Sequence, residues 1–281
     1  MRSALATAVA FALALLSPAC GGSGATARTA TTARRSPPAP ASTISKAPGE
    51  RPATTAGSTS APSGAAAKPS LPPPSLRPPI RRWPIPFGPA RRHQMAAYSL
   101  RHYGEDTYVL SRPKVIVEHY TETATAQEAY NTFAPDHPDS EFGELPNTCA
   151  HFLIERSGRI DQLVGLTVRC RHTTGLNWTA IGIENVGRSD REILGDRAQI
   201  AASLALTLWL RCRYAIPVSD VIGHNESLSS PFHRDLVTAF QHQTHADFNH
   251  DDMHAYRTRL ARLRCPAGSF SRTAETGTGG V

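Results

Sequence analysis

The chain has 281 residues, 12 histidines, five cysteines and a formal charge of +7. That length allows one or two domains. The charge is concentrated near the N-terminus, where Glu50 is the only acidic residue between Gly21 and Gln94. Met1–Cys20 (MRSALATAVAFALALLSPAC) has the layout of an export signal: Arg2, an apolar run from Ala4 to Leu16, then the small residues Ser17-Pro18-Ala19. The run is too short to span a membrane as a helix. Cys20 followed by Gly-Gly-Ser-Gly has the form of a lipoprotein signal in which Cys20 is lipidated. Ser17 stands where an aliphatic residue is usual, and plain cleavage after Ala19 is the alternative.

From Gly21 to Arg82 the sequence is mostly Ala, Ser, Thr, Pro and Gly. It cannot bury enough apolar surface to offset its chain entropy, so a disordered, semi-stiff tether is expected over 21–82. A basic arm of this kind suits anionic envelope polymers or lipid, with simple solvated charge as the bland alternative. It lacks interleaved aromatics, and together with the export signal this argues against nucleic acid. Residues 83–266 are left as the folded domain, enough for one packed core, and the Gly/Ser/Thr-rich 267–281 reads as a disordered tail.

Within the domain, Lys114–His119 (KVIVEH) is a β-rich run ending at a histidine. Thr125 with Glu128 forms a capping box ahead of a helix, AQEAYNTFA. Cys149–Glu155 and Arg159–Val164 read as strands joined by a turn at Arg156-Ser157-Gly158. Ala180–Val186 (AIGIENV) is a further strand. Gln199–Tyr214 is a helix with Ile200, Leu204, Leu208 and Cys212 on one stripe, stopped by Pro217. Val221–His224 is a short strand, and Phe232–Gln243 and Asp252–Leu263 read as helices. Intermixed strands and helices predict an α/β fold with a central mixed β-sheet flanked by helices. In an oxidising compartment the cysteines after Cys20 would form disulfides. Three pairings are open, of which Cys149–Cys170 with Cys212–Cys265 is favoured.

Three places are rich in metal-ligand side chains: His119 and His224, each at a strand end, and the segment His245–His254 (HADFNHDDMH). A catalytic zinc site takes three protein ligands and leaves a position open. Each strand-end histidine could equally be a hydrogen-bonded structural residue, and the HADFNHDDMH run could be a solvated helix start. Glu184, a carboxylate in an otherwise apolar strand, is the other conspicuous group.

The ordered set VIVEHYTET, NTCAHFLIERSGRIDQLV, RHTTGLNWTAIGIENVG and VIGHNES resembles the zinc-dependent N-acetylmuramoyl-L-alanine amidase family, over about Ser111–Leu263. The resemblance implies the amidase fold shared with peptidoglycan recognition proteins. It also implies hydrolysis of the amide between N-acetylmuramic acid and L-alanine, with peptidoglycan or muropeptide as substrate at the cell envelope. It assigns His119, His224 and Asp247 as Zn2+ ligands and Glu184 as general base. The third ligand is the least regular match, since the gap after His224 is long and no Pro-Gly follows; His245 and Asp251 are its rivals. His245 occupies the place of a residue facing the developing oxyanion, and His172 and Asn177 match positions near substrate. Ala150 stands where phage members have a tyrosine. Two non-catalytic readings compete: a recognition module that only binds peptidoglycan, and a lipoprotein scaffold whose tether does the binding.

Overall fold

A computed structural model describes residues 76–266, which fall within one compact unit. The export signal, Cys20, nearly all of the tether and the tail lie outside the described residues. The sheet has six strands: β1 (Ile80–Arg82), β2 (Val115–Tyr120), β3 (Phe152–Ile154), β4 (Ile160–Gln162), β5 (Ala180–Asn185) and β6 (Val221–Gly223). Their order is β1-β4-β3-β5-β2-β6. Only β3 and β4 pair antiparallel, through the hairpin at Ser157-Gly158; every other pairing is parallel. The sheet is therefore mixed, as expected. β2 and β5 are neighbouring interior strands and read as nearly unbroken apolar runs because both of their faces are covered.

One face packs against α4 (Arg197–Tyr214) and α5 (His250–Ala261), with the short α3 (Asp190–Gly195) beside them. Ile116, Ile181 and Ile183 from the sheet meet Leu206, Leu210, Met253 and Leu260 in one buried cluster. Each such aliphatic side chain removed from water contributes about 1.5–3 kcal/mol before chain entropy is counted. The opposite face carries α2 (Ala126–Phe133) over Leu153 and Leu163. Further along this side lies α1 (Pro89–Tyr103), with Met95, Tyr98 and Tyr103 buried together. The capping box at α2 is complete: the Glu128 backbone N–H donates to Thr125 Oγ1, and the Thr125 N–H donates to the Glu128 carboxylate.

Several elements differ from those expected. β1 and α1 were not foreseen, and β1 recruits Ile80–Arg82 to the sheet ahead of the expected domain start at Trp83. The helix expected over Phe232–Gln243 does not form; the segment is a run of turns with one 3₁₀ turn at Thr238–Phe240. Three of its backbone donors leave the helical pattern for other partners. The Arg234 N–H donates to Gly175 O and the Leu236 N–H to His102 O, while the Val237 N–H donates to Asp235 Oδ1. The disulfides are Cys149–Cys170 and Cys212–Cys265, the pairing favoured from sequence.

Candidate metal centre and groove

The chemistry-bearing side chains gather at the carboxyl ends of the central parallel strands, where open α/β sheets place their sites. Side chains alternate along β2, so Glu118 points into the helical face and His119 into a groove on the other. Glu184 on β5 is directly in register with His119. His224 follows immediately after β6, and Asp247 arrives at the end of the long segment that starts there. The three residues His119, His224 and Asp247 are all buried, and one ligand atom from each lies within 4.8 Å of the others. His119 Nδ1 is 2.9 Å from Asp247 Oδ2, and His224 Nδ1 is 3.3 Å from Asp247 Oδ1. Among the described residues no other such group was found.

Two local features bring Asp247 in. Gly223 has Phe248 lying against it: a Cβ there would come within 1.8 Å of the Phe248 carbonyl oxygen, so only glycine lets this stretch pass. The Asn225 N–H donates to Asp247 O, and Asp190 takes the backbone N–H groups of Phe248 and Asn249 at 2.8 and 2.9 Å.

The donor set fits a divalent metal ion. It has two imidazoles and one carboxylate, with no lysine or arginine among the three, and all four described cysteines are closed in disulfides. The electrostatics agree. Burial would raise Asp247, but its bonds with His119 and His224 outweigh that and hold it well below the usual carboxylate range. Burial pushes His224 down to about 4, leaving a neutral imidazole. For His119 burial also works downward; the bond to Asp247 and the negative charge of Glu184 overcome it and raise the pKa. A metal ion would displace that proton.

Glu184 is different in kind. It is buried, and its Oε2 meets no hydrogen-bond partner. Burial pushes it up to about 7, with the nearby His119 charge pulling the other way. A carboxyl poised near neutrality in a cleft is suited to moving protons. Glu118, one residue from His119 but on the far face, accepts bonds from Tyr256, Thr207, Asn185 and Ser203. Asn185 Nδ2 also donates to His119 O at 3.0 Å, which ties the His119 backbone to this buried anchor.

His119, Glu184, His224, Asp247, His172 and His245 all line one groove of about 410 Å³. The His245 ring stacks on that of His224 at 4.6 Å, and its Nε2 lies 3.1 Å from the Glu141 carboxylate. Asp251, a rival for the third ligand, is exposed in the first turn of α5. Asn177, expected against substrate, is used internally: Oδ1 accepts the N–H groups of His172 and Thr173, and Nδ2 donates to the Tyr98 hydroxyl. It shapes the loop that carries His172. Ala150 is buried in the core, so the position offers no hydroxyl.

Sequence reasoning missed three contributors. Arg171 donates to Asp139 at 2.9 Å and to Glu144 O, pinning the 139–146 loop beside the groove. Glu141 on that loop holds His245. His151 is neutral, pushed down to about 4 by burial, and accepts the Gly182 N–H. The signal available for Arg171 was its place directly before His172 in the RHTTG motif; Glu141 left none.

Fold and site together define a hydrolytic enzyme built round a His–His–Asp donor set and a buried carboxylate. Residues 110–248 match the family model described as N-acetylmuramoyl-L-alanine amidase. Among solved structures, the endolysin amidase LysCS from Clostridium intestinale URNW is 19% identical, covering 54% of this chain and 84% of that one, with a TM-score of 0.37. The amidase AmiD from E. coli, solved with anhydro-N-acetylmuramic acid-L-Ala-D-gamma-Glu-L-Lys, is 26% identical, covering 42% of this chain and 50% of that one, with a TM-score of 0.34. An AmpD derivative is 19% identical, covering 63% and 93%, with a TM-score of 0.39. No curated protein matches the sequence. Residues 110–248 belong to the N-acetylmuramoyl-L-alanine amidase family, and the protein is an amidase acting on peptidoglycan.

Proposed function

We propose that the chain cleaves the amide between N-acetylmuramic acid and L-alanine with one zinc ion held by His119, His224 and Asp247. The carrying observation is that this donor set and Glu184, a carboxyl with a buried orphan oxygen, line the same groove. Bound zinc supplies Lewis acidity, polarising the scissile carbonyl and lowering the pKa of a water.

Glu184 takes the proton of the attacking water as its oxygen adds to the lactyl carbonyl carbon. It returns that proton to the amide nitrogen as the C–N bond breaks, and the second water proton passes from the new carboxyl group to the amine, leaving the muramic acid carboxylate and the ammonium group of L-alanine. His245, at the groove mouth, donates a hydrogen bond to the carbonyl oxygen as negative charge builds there. Glu141 orients it for that role. His172 shapes the floor of the groove. We further assign the chain to the cell envelope, with Cys20 as lipid anchor and the basic segment 21–82 contacting anionic polymers or lipid.

The test combines two measurements on one preparation. Mass spectrometry of digested peptidoglycan should find free stem peptides beginning at L-alanine, and elemental analysis should find one zinc per chain. Asp247→Ala should lose both. Intact zinc in Asp247→Ala would move the third ligand elsewhere, and glycan products instead of stem peptides would overturn the reaction.

A further inference from the structure

His119 can ligate through Nδ1 only if its proton sits on Nε2, and the structure holds a chain of groups that sets this. It starts at a backbone carbonyl. His172 Nε2 lies 3.4 Å from Ala180 O, which has no hydrogen to give, so Nε2 is the donor. In the neutral imidazole Nδ1 is then a lone pair. The Thr173 hydroxyl, 2.9 Å away, donates to it. That turns the Thr173 oxygen lone pairs toward His119 Nε2, at 3.2 Å. His172 Nδ1 is also 3.2 Å from His119 Nε2. Both neighbours of His119 Nε2 are acceptors, so Nε2 keeps its hydrogen, and the proton that Nδ1 shares with Asp247 at 2.9 Å is the one a metal ion displaces.

The surroundings hold this arrangement in place. Thr173 is buried. Asn177 Oδ1 takes the backbone N–H groups of His172 and Thr173 at 2.9 and 2.8 Å, fixing the loop. A Cβ at Gly182 would come within 2.5 Å of the His172 ring, so glycine in the AIGIE strand makes room for that ring. The second histidine of the donor set has no such support: His224 Nε2 is buried without a partner.

We propose that Thr173 and His172 are positioning residues that fix the tautomer of His119 for metal binding. This rests on the zinc reading of the His119–His224–Asp247 set. It gives His172 a role behind the metal, not against the substrate.

The experiment measures zinc affinity of the purified protein by competition with a chromophoric chelator. Imidazole ¹⁵N shifts, read through long-range ¹H–¹⁵N correlation, report the His119 tautomer in the same samples. Thr173→Val keeps the shape and removes the hydroxyl. It should weaken zinc by roughly 10–100-fold and lose the Nε2–H signature of His119. Thr173→Ser should restore both. His172→Phe keeps a ring against Gly182, removes the acceptor, and should weaken zinc as well; it decides the matter if Thr173→Val shows no cooperative melt. Wild type that binds zinc alongside Thr173→Val of equal affinity and unchanged tautomer overturns the inference alone. Wild type that binds no zinc overturns the metal reading, and the inference with it.

Discussion

At the residue scale, Glu184 and Glu118 show how one residue type takes two roles from its surroundings. Both are buried carboxyls on the central strands, and burial pushes both upward. Glu118 has four hydrogen-bond donors around it and serves as an anchor. Glu184 faces the groove with an oxygen that no described residue satisfies, so its proton is free to move. Glu184→Gln keeps the volume and removes the base. It should lower turnover by roughly 10²–10⁴-fold, the usual worth of a positioned general base, while zinc content stays at the wild-type level. Stem-peptide release at an undiminished rate would show that another group takes the proton. The same contrast explains what was legible in sequence. A carboxylate in the run AIGIEN is conspicuous because every neighbour is apolar. Asn177 is less legible, because an amide in a motif near the site looks the same whether it faces ligand or its own loop.

At the element scale, the strands were readable and the groove walls were not. Central strands announce themselves as apolar runs, whereas α1 (PARRHQMAAYSLRHY) buries Arg91, Ser99 and His102 beside its aromatics and carries little apolar periodicity. The wall after His224 has a helix-like composition, but tertiary bonds claim its backbone, as at Leu236 N–H to His102 O. His102 joins these walls. Its Nδ1 lies 2.8 Å from Asp235 Oδ2 and its Nε2 2.9 Å from Glu144 Oε2, with the rings of Tyr98 and Tyr103 nearby and Arg101 and Arg171 reaching Glu144. Burial alone would lower the His102 pKa; the two carboxylates outweigh it, and the pKa is raised. The sign follows from linkage. A raised folded-state pKa gives stability that is fully present below the unfolded value, near 6.5, and lost as pH rises through the folded value. Melting temperature should therefore fall as pH is raised from about 6 across the folded-state value. His102→Gln should be less stable below that range, on the order of 3 kcal/mol for a broken buried pair, and should lack this part of the pH dependence. Parallel melting-versus-pH curves for the two proteins would refute this role of the His102 contacts with Asp235 and Glu144.

At the scale of the whole molecule, the site is assembled from points far apart in sequence, and covalent closure restricts how far they can separate in the unfolded chain. The sheet order brings β2, β5 and β6 together across long crossovers, which apolar patterning alone does not specify. Cys212–Cys265 spans 53 residues, from the end of α4 to just beyond α5, and the loop it closes contains His224, Asp247 and the whole groove wall between them. Cys149–Cys170 spans 21 residues, lies at the groove beside Arg171 and His172, and encloses none of the three donors. Loop-closure entropy gives about 4 kcal/mol for the longer link and about 3 kcal/mol for the shorter. Replacing both cysteines of one pair by serine should therefore destabilise the protein in both cases, and more for Cys212/Cys265, as read from urea midpoints at equal slope. The longer link should also matter more for the donor set. Without it, His224 and Asp247 lose the constraint on the chain that joins them, so zinc should protect that variant against urea by a larger share of its remaining stability. A reversed order, with Cys149/Cys170 the costlier pair, would mean that strain relief or residual unfolded-state structure outweighs chain entropy in this fold.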